Sequence, residues 1–115
     1  ALTVAVAHLS LGAGSRRSQL AFIGELLQDH PHSVLMGDFN CTTEQPEMSV
    51  LFQRPRLQPP TEPVRTFPRW RPQRAIDHIL RGDGLACAGM RALPAAASDH
   101  LALSVDLDLP ADLLG

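Results

Sequence analysis

The sequence has no lysine: all ten of its basic residues are arginines. Beside so much Ala and Pro, that bias fits a GC-rich coding sequence better than a functional device. There is no surplus of positive charge either. A formal net charge of -2 gives no overall basic field to gather nucleic acid. Cysteine is scarce: Cys41 and Cys87 lie far apart without CxxC spacing, which argues against a disulfide framework or a zinc site. No apolar run approaches the roughly 20 residues of a membrane-spanning helix. No signal-peptide pattern precedes the first apolar run, so the expected setting is soluble, in a bacterial cytoplasm.

What is present suits one globular domain over residues 1–115, with 44% hydrophobic and 19% charged residues. Residues 2–9 read as a strand with apolar groups on both faces, hence a central one. A Gly-rich turn follows, with Ser15 placed to cap a helix over 16–30. Leu20, Phe22, Ile23, Leu26 and Leu27 form its apolar stripe and Pro31 its stop. Ser33-Val34-Leu35 leads into Met36-Gly37-Asp38-Phe39-Asn40, an apolar strand closed by Gly with an Asp and an Asn just beyond. Strand, helix and strand in this order imply a crossover covering one sheet face. Pro46 opens a short helix through about Phe52. Residues 54–74 are a long loop rich in Pro and Arg and without period. Residues 75–80 read as a strand, 85–93 as a weaker one, and 101–109 alternate as a half-buried strand. No internal repeat or low-complexity tract is visible.

Polar residues collect at the strand ends: His8, then Asp38 and Asn40, then Asp77, then Ser98-Asp99-His100. Each has an ordinary reading as a turn or a satisfied core group. Asp77 resists it most, because a carboxylate in an apolar strand is costly unless paired or bound to metal. Their appearance together and in order is what independent turns would rarely produce.

In order, His8-Leu9-Ser10, Gly37-Asp38-Phe39-Asn40, Ile76-Asp77-His78-Ile79-Leu80 and Ser98-Asp99-His100 resemble the successive signatures of the endonuclease/exonuclease/phosphatase superfamily. The resemblance runs over about residues 4–109. It implies an α/β fold, half of a DNase-I-like four-layer α/β sandwich, with one mixed sheet of about five or six strands and helices on one face. It implies a magnesium-dependent phosphoesterase, with manganese able to substitute, that hydrolyses a phosphodiester by in-line attack of water. Asp38 would position or activate that water, Asn40 hold the scissile phosphate, and His100 contact the phosphate while paired to a buried Asp77. His8 would stand near the leaving oxygen, and Asp99 with Asp38 would approach the metal. His78, on the opposite strand face from Asp77, is expected to be structural.

The resemblance covers only the family's C-terminal half. The first half normally brings an Asn and the principal metal-ligating Glu, which none of Glu25, Glu44 and Glu47 matches. The activity is therefore expected to be incomplete in this chain, with a missing N-terminal half or a homodimer partner covering an apolar sheet face. A non-catalytic binding or assembly module that keeps the fold is the alternative. A phospholipid, another small phosphodiester or DNA would be the substrate; the net charge disfavours DNA. In the loop from Arg65 to Arg74, Arg69, Trp70 and Arg71 are candidates to grip phosphate and to stack on a base or enter a lipid interface.

Overall fold

The computed structural model describes residues 2–53, 56–59, 63–82, 84–93 and 98–110. The first apolar run forms β1 (Thr3–His8), and the run ending at the Gly-Asp corner forms β2 (Ser33–Asp38). They pair in parallel, in register from Thr3 with Ser33 to His8 with Asp38. Helix α1 (Ala13–Leu27) is the crossover between them. β3 (Asp77–Arg81) adds antiparallel on the other side of β2, with Asp38 opposite Asp77. The sheet order is β1-β2-β3. Register partners project to the same side, so His8, Asp38 and Asp77 stand in a row at one end of one sheet face.

The other face of this sheet carries Ala5, Ala7, Leu35 and Leu80. It is covered by α1, by a 3-10 turn at Pro46–Met48 and by α2 (Ser49–Gln53). Pro46 takes the first position of that turn, as its fixed φ favours. Leu20, Leu35, Phe39, Met48, Leu51 and Leu80 are fully buried between these layers. Gly37 is required where β1 and β2 meet. Its φ is 142°, and a Cβ there would fall 1.8 Å from the Ala7 carbonyl oxygen.

Beyond β3 the chain forms β4 (Ala86–Leu93) and β5 (Ala102–Asp108), an antiparallel ribbon with a register shift between Cys87 and Gly89. The strands number five among the described residues, but they form a three-stranded sheet and a separate two-stranded ribbon, where the sequence suggested one mixed sheet. Two contacts account for the division. The outer edge of β3 is taken at Arg81 by a bridge to Gln58, with Gln58 N donating to Arg81 O at 2.7 Å. The ribbon instead packs flat, setting Met90, Leu103, Val105 and Leu107 against Val34, Met36 and Ile79.

Three local expectations are corrected. Helix α1 begins at Ala13, its N-cap is Gly12, and no side chain caps it; Ser15 lies inside the first turn. Its buried stripe is Arg16, Leu20, Gly24 and Leu27, whereas Phe22 and Leu26 are 61% and 55% exposed and flank a groove beside Val50. The helix is rolled inward on Arg16, whose guanidinium binds the Ser10 and Leu11 carbonyls. Lastly, β1 is an edge strand. The ribbon reaches β2 and β3 but leaves Leu2, Val4 and Val6 exposed at 41%, 55% and 76%. The open apolar face expected from the sequence is therefore confined to β1. Both cysteines are free thiols.

Candidate active site

The Gly37 corner delivers Asp38 to the end of β2 and turns the chain so that Asn40 adopts a left-handed φ of 52°, a conformation Asn tolerates better than most residues. Two hydrogen bonds lock the corner. Asn40 N donates to Asp38 Oδ1 at 2.9 Å, and Asn40 Nδ2 donates to the Leu9 carbonyl at 2.6 Å. An amide nitrogen carries two protons, so one N–H and the amide oxygen of Asn40 stay available to a ligand. Asp38 Oδ2 lies 3.7 Å from His8 Nε2 and 3.7 Å from His100 Nε2. Those separations exceed direct hydrogen bonds and suit an intervening water or ligand oxygen.

Behind His100 stands Asp77. Its Oδ2 accepts from His100 Nδ1 at 2.6 Å and from Thr66 Oγ1 at 2.5 Å. The pairing of Asp77 with His100 expected from the cost of a lone carboxylate is thus in place. It fixes Nδ1 as the protonated nitrogen and turns Nε2 toward Asp38. Burial pushes the imidazole's proton affinity down. The hydrogen bond to Asp77 and the charges of Asp77, Asp38 and Asp99 together outweigh it, so the His100 pKa is raised above its ordinary value.

His100 is held by the Arg-rich loop. Phe67 packs on its ring with centroids 4.7 Å apart, Arg69 N donates to Asp99 O at 2.6 Å, and Arg69 Nε donates to Ser98 O at 2.8 Å. Leu101 N closes the cradle on Thr66 O at 2.7 Å. Arg69, offered by the sequence as a phosphate grip, spends its Nε on this carbonyl. Trp70 is 71% exposed, not packed on the core, and Arg71 is exposed beside it. Thr66, wholly buried, was not visible as a site residue in the sequence. His78 is buried on the opposite face, its Nε2 donating to Cys41 O at 2.7 Å and its ring edge-on to Phe39. Burial lowers its pKa, keeping it neutral.

Residues 5–100 match the Endonuclease/Exonuclease/phosphatase family. The chain belongs to this family. Among solved structures, a conserved protein of unknown function from Enterococcus faecalis superposes with a TM-score of 0.79 at 22% identity, over 93% of this chain and 50% of that one. An endonuclease/exonuclease/phosphatase from Bacteroides vulgatus gives 0.73 at 21%, over 90% of this chain and 48% of that one. A mannosyl-6-phosphatase from Bacteroides thetaiotaomicron gives 0.74 at 19%, over 90% of this chain and 50% of that one. At these identities the likeness is one of fold, half of the DNase-I-like architecture. The chain spans about half the length of these relatives. No curated protein matches it.

A divalent cation fits the family site in this chain, with few ligands. Ligand atoms of Asp38, Asp77 and His100 lie within 4.8 Å of one another. Asp77 Oδ2 is already engaged by His100 and Thr66, whereas Asp38 Oδ2 stands 3.7 Å from both His8 and His100. Asp99 brings a second carboxylate, 62% exposed, with Oδ1 3.8 Å from His100 Nε2. One or two carboxylates, completed by water and substrate oxygens, suffice for a small hard cation held weakly.

Proposed function

We propose that the chain carries the general acid–base half of a metal-dependent phosphoesterase. The observation that supports this most is Asp38 Oδ2 placed 3.7 Å from the Nε2 atoms of both His8 and His100, the latter backed by Asp77 at 2.6 Å. A free carboxylate oxygen between two imidazole nitrogens suits one task, orienting a water toward an anionic phosphorus centre. Asp38 accepts a proton of that water. His100, whose protonated form Asp77 favours, donates through Nε2 to a phosphoryl oxygen as charge grows there. The free N–H of Asn40 donates to another phosphoryl oxygen, and exposed His8 stands where a leaving oxygen can be protonated. Magnesium, or manganese in its place, held by Asp38 and Asp99 with water, would supply positive charge for the developing oxyanion.

Asp99 and Asp38 alone make a weak metal site, so full activity calls for further acidic ligands from a second layer of polypeptide. The bare apolar residues Leu2, Val4 and Val6 beside the site are where such a layer would rest. A small phosphodiester or a phospholipid fits better than DNA, given the net charge of -2. Exposed Trp70 and Arg71 would touch the part of the substrate remote from phosphorus.

The experiment uses the whole polypeptide that contains these residues. It is assayed with bis-p-nitrophenyl phosphate and p-nitrophenyl phosphate while magnesium is titrated. Magnesium-dependent release of nitrophenol, reduced at least about 100-fold by Asp38→Asn, is expected. Binding of both esters without turnover would identify a binding module instead.

A further inference from the structure

A second concavity opens where the chain continues past the Asn40 corner. It has a volume of about 210 Å³ and is lined by Thr42, Thr43, Glu44, Arg65, Gln73 and Arg74, among others. Both of its walls continue the backbone that builds the site. Thr42 follows Asn40 by two residues. Arg65 precedes Thr66, which holds Asp77, and the Arg74 carbonyl accepts from Thr66 N at 3.0 Å. Arg65 and Arg74 are thus brought side by side by the pairing at the base of the 67–74 excursion.

Neither guanidinium has a hydrogen-bond or ion-pair partner among the described residues, in contrast to Arg16, Arg69 and Arg81, whose guanidinium groups bind carbonyls. With Glu44 on the rim the lining carries a formal charge of +1, and two threonine hydroxyls and the Gln73 amide add donors. The volume is below the roughly 300 Å³ at which whole small ligands begin to be enclosed, but it admits a single tetrahedral oxyanion. Paired guanidinium groups with hydroxyl donors are the chemistry that recognises phosphate.

We propose that this cleft is an anion subsite that takes a second, non-reacting phosphate group of the substrate, so that the site prefers bisphosphorylated small molecules. The proposal deepens the phosphoesterase reading and rests on it for the identity of the occupant, though not for anion binding itself. One end of the substrate is held at Asn40 and His100 while the other is anchored by Arg65 and Arg74.

The test uses the whole polypeptide and two probes, glucose 1-phosphate and glucose 1,6-bisphosphate, with binding followed by calorimetry. The wild type should bind the bisphosphate at least about tenfold more tightly, and Arg65→Ala with Arg74→Ala should abolish that preference without weakening the monophosphate. Glu44→Gln should sharpen the preference, since it removes the one opposing charge. Both arginines are exposed, so the variants should keep the wild-type circular dichroism spectrum. Where hydrolysis occurs, the double variant should raise KM for the bisphosphate and leave kcat unchanged. Loss of the preference in a protein that hydrolyses neither bis-p-nitrophenyl phosphate nor p-nitrophenyl phosphate would uphold the subsite and sink the phosphoesterase reading. Equal affinity for the two probes in the wild type, or a preference that survives the double substitution, would overturn the subsite.

Discussion

Asp77→Asn keeps the shape of the side chain and removes its charge. Asp77 Oδ2 accepts two short hydrogen bonds, from His100 Nδ1 at 2.6 Å and Thr66 Oγ1 at 2.5 Å. A hydrogen bond to a charged group contributes about 1.5–3 kcal/mol and a neutral one about 0.5–1.5. The substitution should therefore cost about 1–2 kcal/mol of stability while His100 is protonated. The fold raises the His100 pKa above its ordinary 6.5, because the Asp77 hydrogen bond and the three nearby carboxylates outweigh the opposing effect of burial. A group whose proton affinity rises on folding contributes stability fully present below its unfolded pKa, and that stability is lost as pH rises through the folded value. The gap between wild type and Asp77→Asn should thus be wide near pH 5 and narrow near pH 8.5. Urea unfolding at the two pH values measures it, and proton NMR of the His100 ring follows the titration midpoint, which should fall in the variant. An equal loss at both pH values, or a midpoint that does not move, would refute the pairing as the source of the shift. In an active protein the same change should lower kcat far more than it alters KM.

Arg16 and Glu47 are each only 7% exposed, with Arg16 Nη2 3.7 Å from Glu47 Oε1; Arg16→Met should cost about 3–5 kcal/mol by leaving a buried carboxylate uncompensated, and the double variant with Glu47→Gln should cost less than the sum. Strict additivity in urea unfolding would show that the two charges do not sense each other. Gly37→Ala puts a Cβ 1.8 Å from the Ala7 carbonyl oxygen at a φ of 142°, so β1 must shift against β2. The melting temperature should drop by about 10 °C or more, and a melt within a few degrees of wild type would mean the two strands are free to slide.

The places of His8, Asp38 and Asp77 at strand ends were legible in the sequence because that much depends on local pattern; their alignment in one row comes from the register of the three strands. Apolar runs set the strands, the Gly37 corner ends β2, and alternation fixes which residues share a face. What the sequence misplaced depends on partners distant along the chain. Residues 2–9 are apolar on both sides, yet among the described residues only the face toward α1 is covered. Amphipathicity of α1 marks a stripe but not its rotation. Phe22 and Leu26 outrank Arg16 on any hydrophobic scale, but Arg16 goes inside because the Ser10 and Leu11 carbonyls and Glu47 receive its guanidinium. Thr66 sits in a stretch without period and gains its meaning only from Asp77, eleven residues on.

The 65–74 loop shows most plainly what composition leaves out. Its arginines and its tryptophan read as a surface for substrate, and composition says nothing of the cradle the same loop builds. The backbone and the Nε of Arg69 bind Asp99 and Ser98, Phe67 packs on the His100 ring, and Thr66 secures both Asp77 and Leu101. The sheet register alone places Asp38 and Asp77, since their strands are paired there. His100 has no such register, because it precedes β5, which pairs with β4 and not with the three-stranded sheet. Its approach to Asp38 therefore depends on the loop, and a substitution such as Phe67→Ala acts on the imidazole's placement while leaving both carboxylates where they are. In this chain the carboxylates are fixed by strand pairing and the imidazole by a loop that has no regular structure of its own.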